Sequence, residues 1–178
     1  MLTEPLPNTL DVRKAAARGV SVSGEIKPVE LRRFRELLVS DEGSIQVNLA
    51  LSKDEEKRSL VHIAVTARVE VTCQRCLSPL VVHLSSDNTL ALVWSDDQAS
   101  HLPRHLEALI VADEACNLWE LAEDELMLAL PPYNYHGTDA CKKILADFSP
   151  PPPEEAEAGE KPNPFNVLAQ LKPGKKKY

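Results

Sequence analysis

Every second position from Val61 to Cys73 is apolar or small: Val61, Ile63, Val65, Ala67, Val69, Val71 and Cys73. Most residues between them are polar, so a pleated strand sends this row to one face and Arg68, Glu70 and Thr72 to the other. Ile45, Val47, Leu49 and Leu51 repeat the pattern upstream and lead into a polar turn over residues 54–58. Val20, Val22 and Ile26 alternate more loosely. Downstream, Pro79 to Leu84 and Leu90 to Trp94 predict a returning strand, and Leu106 to Val111 forms another short apolar run. Cys73-Gln74-Arg75-Cys76 therefore falls at the end of a hairpin.

Two stretches change to helical spacing. Pro28 opens a segment in which Val29, Leu31, Phe34, Leu37 and Leu38 approximate one apolar helical face, with Arg32, Arg33 and Arg35 crowded on the rest. Leu118, Leu121, Leu126 and Leu128 to Leu130 predict a second helix, capped by Asn117 and stopped by Pro131 and Pro132. Its early carboxylates complement the helix dipole, so Glu120, Glu123, Asp124 and Glu125 read as an exposed acidic face. Leu121, Leu126 and Leu130 are expected to pack on the sheet. The pattern predicts an α+β domain over residues 1–148, a mostly antiparallel β-sheet or open barrel with two main helices.

Residues 149–178 differ from the rest. They hold seven of the fourteen prolines, an acidic run at 154–157 and the terminal Lys175-Lys176-Lys177. Such a stretch has too little apolar surface to offset its ordering entropy, and a disordered tail is expected. Inside it, Phe165, Leu168 and Leu171 recur at helical spacing after Pro162 and Pro164, flanked by Lys161 and Lys172. That peptide, residues 161–172, reads either as a short helix docked on its own domain or as a linear segment that folds on a partner.

Composition narrows the function classes. With 178 residues and 43% hydrophobic content the chain has enough material for one core without staples. The start, "MLTEPLPNTL", has no basic and apolar leader pattern, and no apolar run is long enough to span a bilayer. A cytoplasmic protein with reduced thiols and no membrane partner is expected. A net charge of −7 suits a basic protein partner better than a phosphate backbone, whose affinity comes from Lys and Arg. Arg13, Lys14 and Arg18 together with Arg32, Arg33 and Arg35 would oppose that mean if they formed one patch. His62, His83, His101, His105 and His136 are scattered, and no glycine loop of the phosphate-cradling kind is present. Neither an enzyme nor a small-molecule substrate is indicated.

The Cys-x-x-Cys pair admits three readings: two thiolates on one zinc ion, a redox dithiol, or a tight packed turn. A thioredoxin-like dithiol draws its acidity from a helix N-terminus, which a hairpin end does not supply. Packing of Cys73 and Cys76 at the hairpin end is the preferred expectation, with no cofactor required.

The alternating strand ending in "CQRCL", the acidic helix running into "EDELMLALPPYNYH" and the tail peptide "KPNPFNVLAQLK" occur in one order. That ordered set resembles the YceD family, the large ribosomal RNA subunit accumulation proteins of bacteria and plastids, over roughly Asn8 to Lys172. The resemblance implies a non-enzymatic role in the synthesis, processing or stability of large-subunit (23S-type) ribosomal RNA. Implied partners are a ribosomal protein or assembly factor of the large subunit, or the ribosomal RNA itself, with action through a protein favoured by the charge. Phe165, Leu168, Leu171, Lys161, Arg32, Arg33 and Arg35 are the candidate contacts. Many relatives resemble one another in a second Cys-x-x-Cys after the equivalent of "LPPYNYH"; here that region offers His136 and Cys141. Cys73, Cys76, His136 and Cys141 thus remain a chemically admissible zinc set, because zinc accepts mixed sulfur and nitrogen ligands. The alternatives are then a zinc-ribbon-like RNA-binding protein or a thiol redox protein.

Overall fold

A computed structural model of the chain describes residues 5–111, 115–147 and 165. A short strand β1 (Thr9–Asp11) runs directly into helix α1 (Val12–Arg18), whose first turn is capped by the Asp11 carboxylate accepting from the Lys14 N–H. Gly19 ends α1 in the left-handed conformation, φ 65°, which a residue without Cβ adopts at no steric cost. Next come β2 (Ser21–Ile26), a 3-10 turn at Pro28–Glu30 and the single helical turn α2 (Arg32–Arg35). Strands β3 (Gly43–Lys53), β4 (Ser59–Thr72) and β5 (Pro79–Val93) follow as a meander. The short helix α3 (Asp96–Ser100) leads to β6 (Glu107–Ile110), β7 (Ala115–Asn117), α4 (Leu118–Ala129) and α5 (Asp139–Asp147).

The alternating rows of the sequence become one open five-stranded sheet in the order β2-β3-β4-β5-β6. Its first three pairings are antiparallel and the last, β5 with β6, is parallel. The architecture is α+β with a largely antiparallel sheet that does not close into a barrel. β1 and β7 form a separate two-stranded antiparallel ribbon. Residues at alternate positions of β3 and β4, from Ile45 to Leu51 and from Val61 to Val71, are all buried, while His62, Thr66 and Arg68 are exposed. One face of the sheet is therefore covered and the other meets water, as antiparallel sheets permit. The cover consists of Val12, Ala15 and Ala16 from α1, Leu118, Leu121, Ala122 and Leu126 from α4, and Phe34 from α2. Among the described residues no helix is long and apolar enough to cross a membrane.

The helix expected over Pro28 to Val39 does not form as one element. Leu31 is extended (φ −102°, ψ 94°) and separates the 3-10 turn from α2, so of the expected apolar stripe Leu31 and Phe34 are fully buried while Val29 and Leu37 are exposed. The cause is tertiary. α2 has no side-chain cap of its own; its second and third N–H groups, on Arg33 and Phe34, donate to Glu123 Oε1 at 2.6 and 3.0 Å. A carboxylate reaching across from α4 fixes where this turn begins. The helices α1 and α5 arise instead from stretches that showed no clear apolar stripe.

That arrangement corrects the expectation of a fully solvated acidic face on α4. Glu123 and Glu125 are buried, whereas Asp124 is exposed. Glu123 also receives Arg33 Nε at 2.8 Å, and Arg33 Nη1 reaches Asp124 at 2.8 Å. Glu125 accepts from Ser86 Oγ and from Asn88 Nδ2 on β5. A buried carboxylate is tolerated only where donors replace water, and both have them. Leu121 and Leu126 face the sheet as predicted, and Leu130 is packed at its margin. The expected disorder of residues 149–178 lies outside the described residues, apart from Phe165.

Two outcomes follow for stability. Leu126 is fully buried, so Leu126→Ala should cost about 2–5 kcal/mol in urea unfolding; near-neutral stability would mean that α4 is not docked as described. For Glu123, burial alone pushes the carboxyl up, but the N–H groups of Phe34 and Arg33 and the Arg33 guanidinium outweigh it and hold the group below its ordinary value of 4.5. The folded protein thus binds this proton less tightly than the unfolded chain. Glu123 adds stability above pH 4.5 that is lost as pH falls through its folded value. Glu123→Gln should cost about 1–3 kcal/mol at neutral pH and flatten the loss of stability on acidification. Parallel acid profiles for the two proteins would remove Glu123 from that role.

Candidate metal centre

The buried row of β4 does not stop at the strand. Cys73 continues it and is fully buried, while Cys76 lies three residues on, half-buried, within the turn to β5. The turn is closed by Cys73 N–H donating to Ser78 O at 2.9 Å and Leu77 N–H donating to Cys73 O at 2.8 Å. Leu77 is left-handed, φ 58°, and its side chain is 77% exposed. A leucine in that region carries strain that nothing around its side chain repays.

A second segment arrives from the far end of α4. Leu130 is extended, the two prolines keep the helix from continuing, and residues 131–137 run across the hairpin end without regular structure. Gln74 and Asn134 clamp this crossing. The Gln74 N–H donates to Asn134 O at 2.9 Å, and the Asn134 N–H donates back to Gln74 Oε1 at 3.2 Å. Asn134 is itself buried and its Nδ2 donates to Pro131 O, which fixes the bend. His136 then lies over the hairpin with Nδ1 3.2 Å from Cys76 Sγ and Nε2 3.0 Å from Pro79 O. The chain turns once more at Thr138, and Cys141, buried in the first turn of α5, brings its Sγ to 3.7 Å from Cys73 Sγ. Cys73, Cys76, His136 and Cys141 thereby offer three sulfurs and one nitrogen, all within 4.8 Å of one another.

The electrostatics separate the four groups. Burial pushes the Cys73 thiol up, but the backbone N–H groups of Cys76, Arg75 and His136 outweigh it and bring the group well below the ordinary thiol value. Cys76 is lowered chiefly by the Ser78 N–H. Burial and the neighbouring sulfurs push Cys141 up, and those of Cys73 and Cys76 push His136 up. Cys116 stands apart on β7, raised by burial and by Glu120.

The sequence-predicted residues meet different fates. The four metal-type donors converge. Arg33 is committed to Glu123 and Asp124, and Arg35 pairs with Asp41 at 2.6 Å, while Arg32 is exposed. Lys14 pairs with Asp11, and the Arg13 guanidinium lies over the Trp94 ring, so these cations too are engaged locally. Phe165 is exposed; Lys161, Leu168 and Leu171 lie outside the described residues. One feature beside the centre was missed from sequence. Tyr133 and Tyr135 stack in parallel, ring centroids 6.4 Å apart, and the Arg75 guanidinium lies over Tyr135 at 4.8 Å. Their spacing of two, straight after two prolines, is the signal that would have placed both rings on one side of an extended strand.

Comparison with known proteins covers the same region. The family model described as "Large ribosomal RNA subunit accumulation protein YceD" matches residues 61–172, a span that contains all four donors. A protein of Haemophilus influenzae named Large ribosomal RNA subunit accumulation protein YceD is 34% identical over 170 residues, covering 94% of this chain and 96% of that one. No solved structure matches.

The turn itself can be tested through Leu77. Leu77→Gly removes a left-handed strain of about 1–2 kcal/mol and adds the usual glycine entropy cost of about 0.5–1 kcal/mol. Its stability should be unchanged or higher by up to about 1 kcal/mol in thermal unfolding, whereas Leu77→Val should be clearly destabilised. A marked loss with glycine would show that the left-handed turn is not kept in solution.

Proposed function

The chain belongs to the YceD family, and from that premise we propose that it supports the accumulation of large-subunit ribosomal RNA as a non-catalytic binding or assembly module. The observation that carries this is the match to the Haemophilus influenzae relative along nearly the whole of both chains, so that the two share their full extent rather than one motif. The donor set agrees with such a role. Four protein atoms close the centre on themselves, whereas a metal that acts on a substrate keeps one position open. We place its work in the cytoplasm, beside the assembling large subunit.

The net charge of −7 favours a basic protein of the large subunit, or an assembly factor, as the direct partner. Arg33 and Arg35, two of the arginines that would have offered a phosphate surface, are engaged in ion pairs of their own. A second reading, direct contact with RNA, is favoured by one specific arrangement: the exposed Tyr133 and Tyr135 rings with Arg75 beside them. Unpaired bases stack on such aromatic and guanidinium faces.

Cells lacking the protein should contain less large-subunit than small-subunit ribosomal RNA, and the full chain should restore the ratio. A chain lacking residues 161–178 should keep its thermal melt but fail to restore it. Capture of partners at two salt concentrations, with and without RNase, separates the two contacts. A salt-sensitive protein retained after RNase supports the first, and loss of all partners with RNase, or on Tyr133→Ala with Tyr135→Ala, supports the second. An unchanged ribosomal RNA ratio in the deletion strain would sink the proposal.

A further inference from the structure

Two aromatic rings stand side by side outside the core, Tyr133 at 71% exposure and Tyr135 at 45%. We propose that these rings grip one unpaired RNA base between them, with Arg75 serving the acceptor atoms of the same nucleotide. This rests on the reading of direct RNA contact and names its ligand, a single base drawn from a single-stranded segment.

The spacing is that of a slot for one flat ring. The two ring planes differ by 2° and their centroids are 6.4 Å apart. Stacked bases follow one another at about 3.4 Å, so a base with a ring on each face spans about 6.8 Å. The tyrosines therefore part by only about 0.4 Å to admit one. The pair is also held from behind. Asn134, the residue between them, is buried, its N–H and C=O are both engaged by Gln74, and its Nδ2 donates to Pro131 O. Gln74 Nε2 reaches Pro132 O on one side, and His136 Nε2 is 3.0 Å from Pro79 O on the other. A backbone tied at and around the intervening residue keeps the two rings one repeat apart, so the slot is built before a ligand arrives.

Arg75 selects the ligand. Its guanidinium lies 4.8 Å from the centre of the Tyr135 ring, and its Nε and Nη1 have no hydrogen-bond partner. Among the described residues no carboxylate pairs with it, unlike Arg33, Arg35 and Arg58. Unpartnered donors call for acceptors. A nucleotide brings base carbonyls, ring nitrogens and phosphate oxygens, whereas the arginine or lysine of a basic protein brings only donors and a like charge. Nε and Nη1 are covered in the free chain, so Arg75 turns outward about its side-chain bonds as the base enters. Duplex RNA keeps its bases within the helix, and only a single strand supplies one to such a slot. The net charge of −7 does not oppose this contact, because stacking draws on the ring faces.

The probe is a short oligouridine RNA carrying a single 2-aminopurine, titrated with the full chain. The chain should quench that base's fluorescence, and the same strand paired with its complement should give no quenching. Tyr133→Ala and Tyr135→Ala should each weaken binding at least about fivefold, while Tyr133→Phe and Tyr135→Phe retain it. Both rings are exposed, so these variants should melt with the wild type. Binding should fall with salt at a logarithmic slope of about −0.7, one single-strand phosphate contact, and Arg75→Gln should flatten that slope. RNA bound with equal affinity by the Tyr133→Ala, Tyr135→Ala double variant overturns the clamp and leaves direct RNA contact standing. No binding at about 0.1 mM chain, the weak end of non-specific nucleic-acid affinity, overturns both. An arginine-rich peptide that binds the wild type, fails on the double variant and is not displaced by the RNA also overturns the clamp, and gives the rings to a protein partner.

Discussion

The pleat of β4 governs both halves of this molecule. Because successive side chains leave opposite faces of a strand, the row from Val61 to Val71 that builds the core also fixes the direction of the next odd position, Cys73. A slip of one residue would turn the whole apolar row to water and carry the thiol with it. The register Thr72↔Pro79 at the hairpin end and Leu60↔Ala91 at its base is therefore a single constraint with two consequences. Packing of α1 and α4 on the covered face enforces it energetically, and Cys73 inherits its inward direction from that register. Leu77 shows the cost at the end of the hairpin, where the chain must turn within a few residues and accepts a left-handed leucine to do so.

How much of this was legible depends on the range of the interaction. Alternation reports a local property, so β3, β4, β5 and the hairpin position of Cys73 and Cys76 could be read directly. The capped helix α4 was readable for the same reason, since Asn117 and the following prolines act on their own neighbours. The segment from Pro28 to Val39 was not, because its start is set by Glu123 from ninety residues away. An acidic residue on a helix looks the same in sequence whether water or a distant N–H group satisfies it. Glu125, held by Ser86 and Asn88, repeats the lesson. The candidate site divides similarly. The Cys-x-x-Cys turn was local, whereas His136 and Cys141 join it through a crossing whose clamp, Gln74 with Asn134, leaves no pattern in the sequence.

Charge supplies a second organising constraint. The chain is acidic as a whole, and two of the three arginines of α2, Arg33 and Arg35, are paired with acidic partners. Burying Glu123 requires Arg33 and the free N–H groups of α2, so this one cation is used in holding the helix layer together. An acidic surface of this kind suits a basic partner better than a phosphate backbone. The aromatic ladder at Tyr133 and Tyr135 is the exception, because stacking depends on exposed rings and not on net charge.

That ladder shares residues 131–137 with His136 of the Cys/His cluster. Residues 131–137 have no ladder of backbone hydrogen bonds, and fixing each residue of such a stretch costs about 1–2 kcal/mol of conformational entropy. Among the described contacts, the two hydrogen bonds between Gln74 and Asn134, one from Gln74 Nε2 to Pro132 O, one from His136 to Pro79 O and the contact of His136 with Cys76 Sγ hold it to the hairpin. Those few bonds contribute about 0.5–1.5 kcal/mol each, comparable to ordering two or three residues and short of ordering seven. Cys141, with its Sγ 3.7 Å from Cys73 Sγ, anchors the far end of the segment to the hairpin as well. Anchors on both sides of Tyr133 and Tyr135 keep the two rings in one presentation, and a rigid aromatic surface loses less entropy on binding than a loose one.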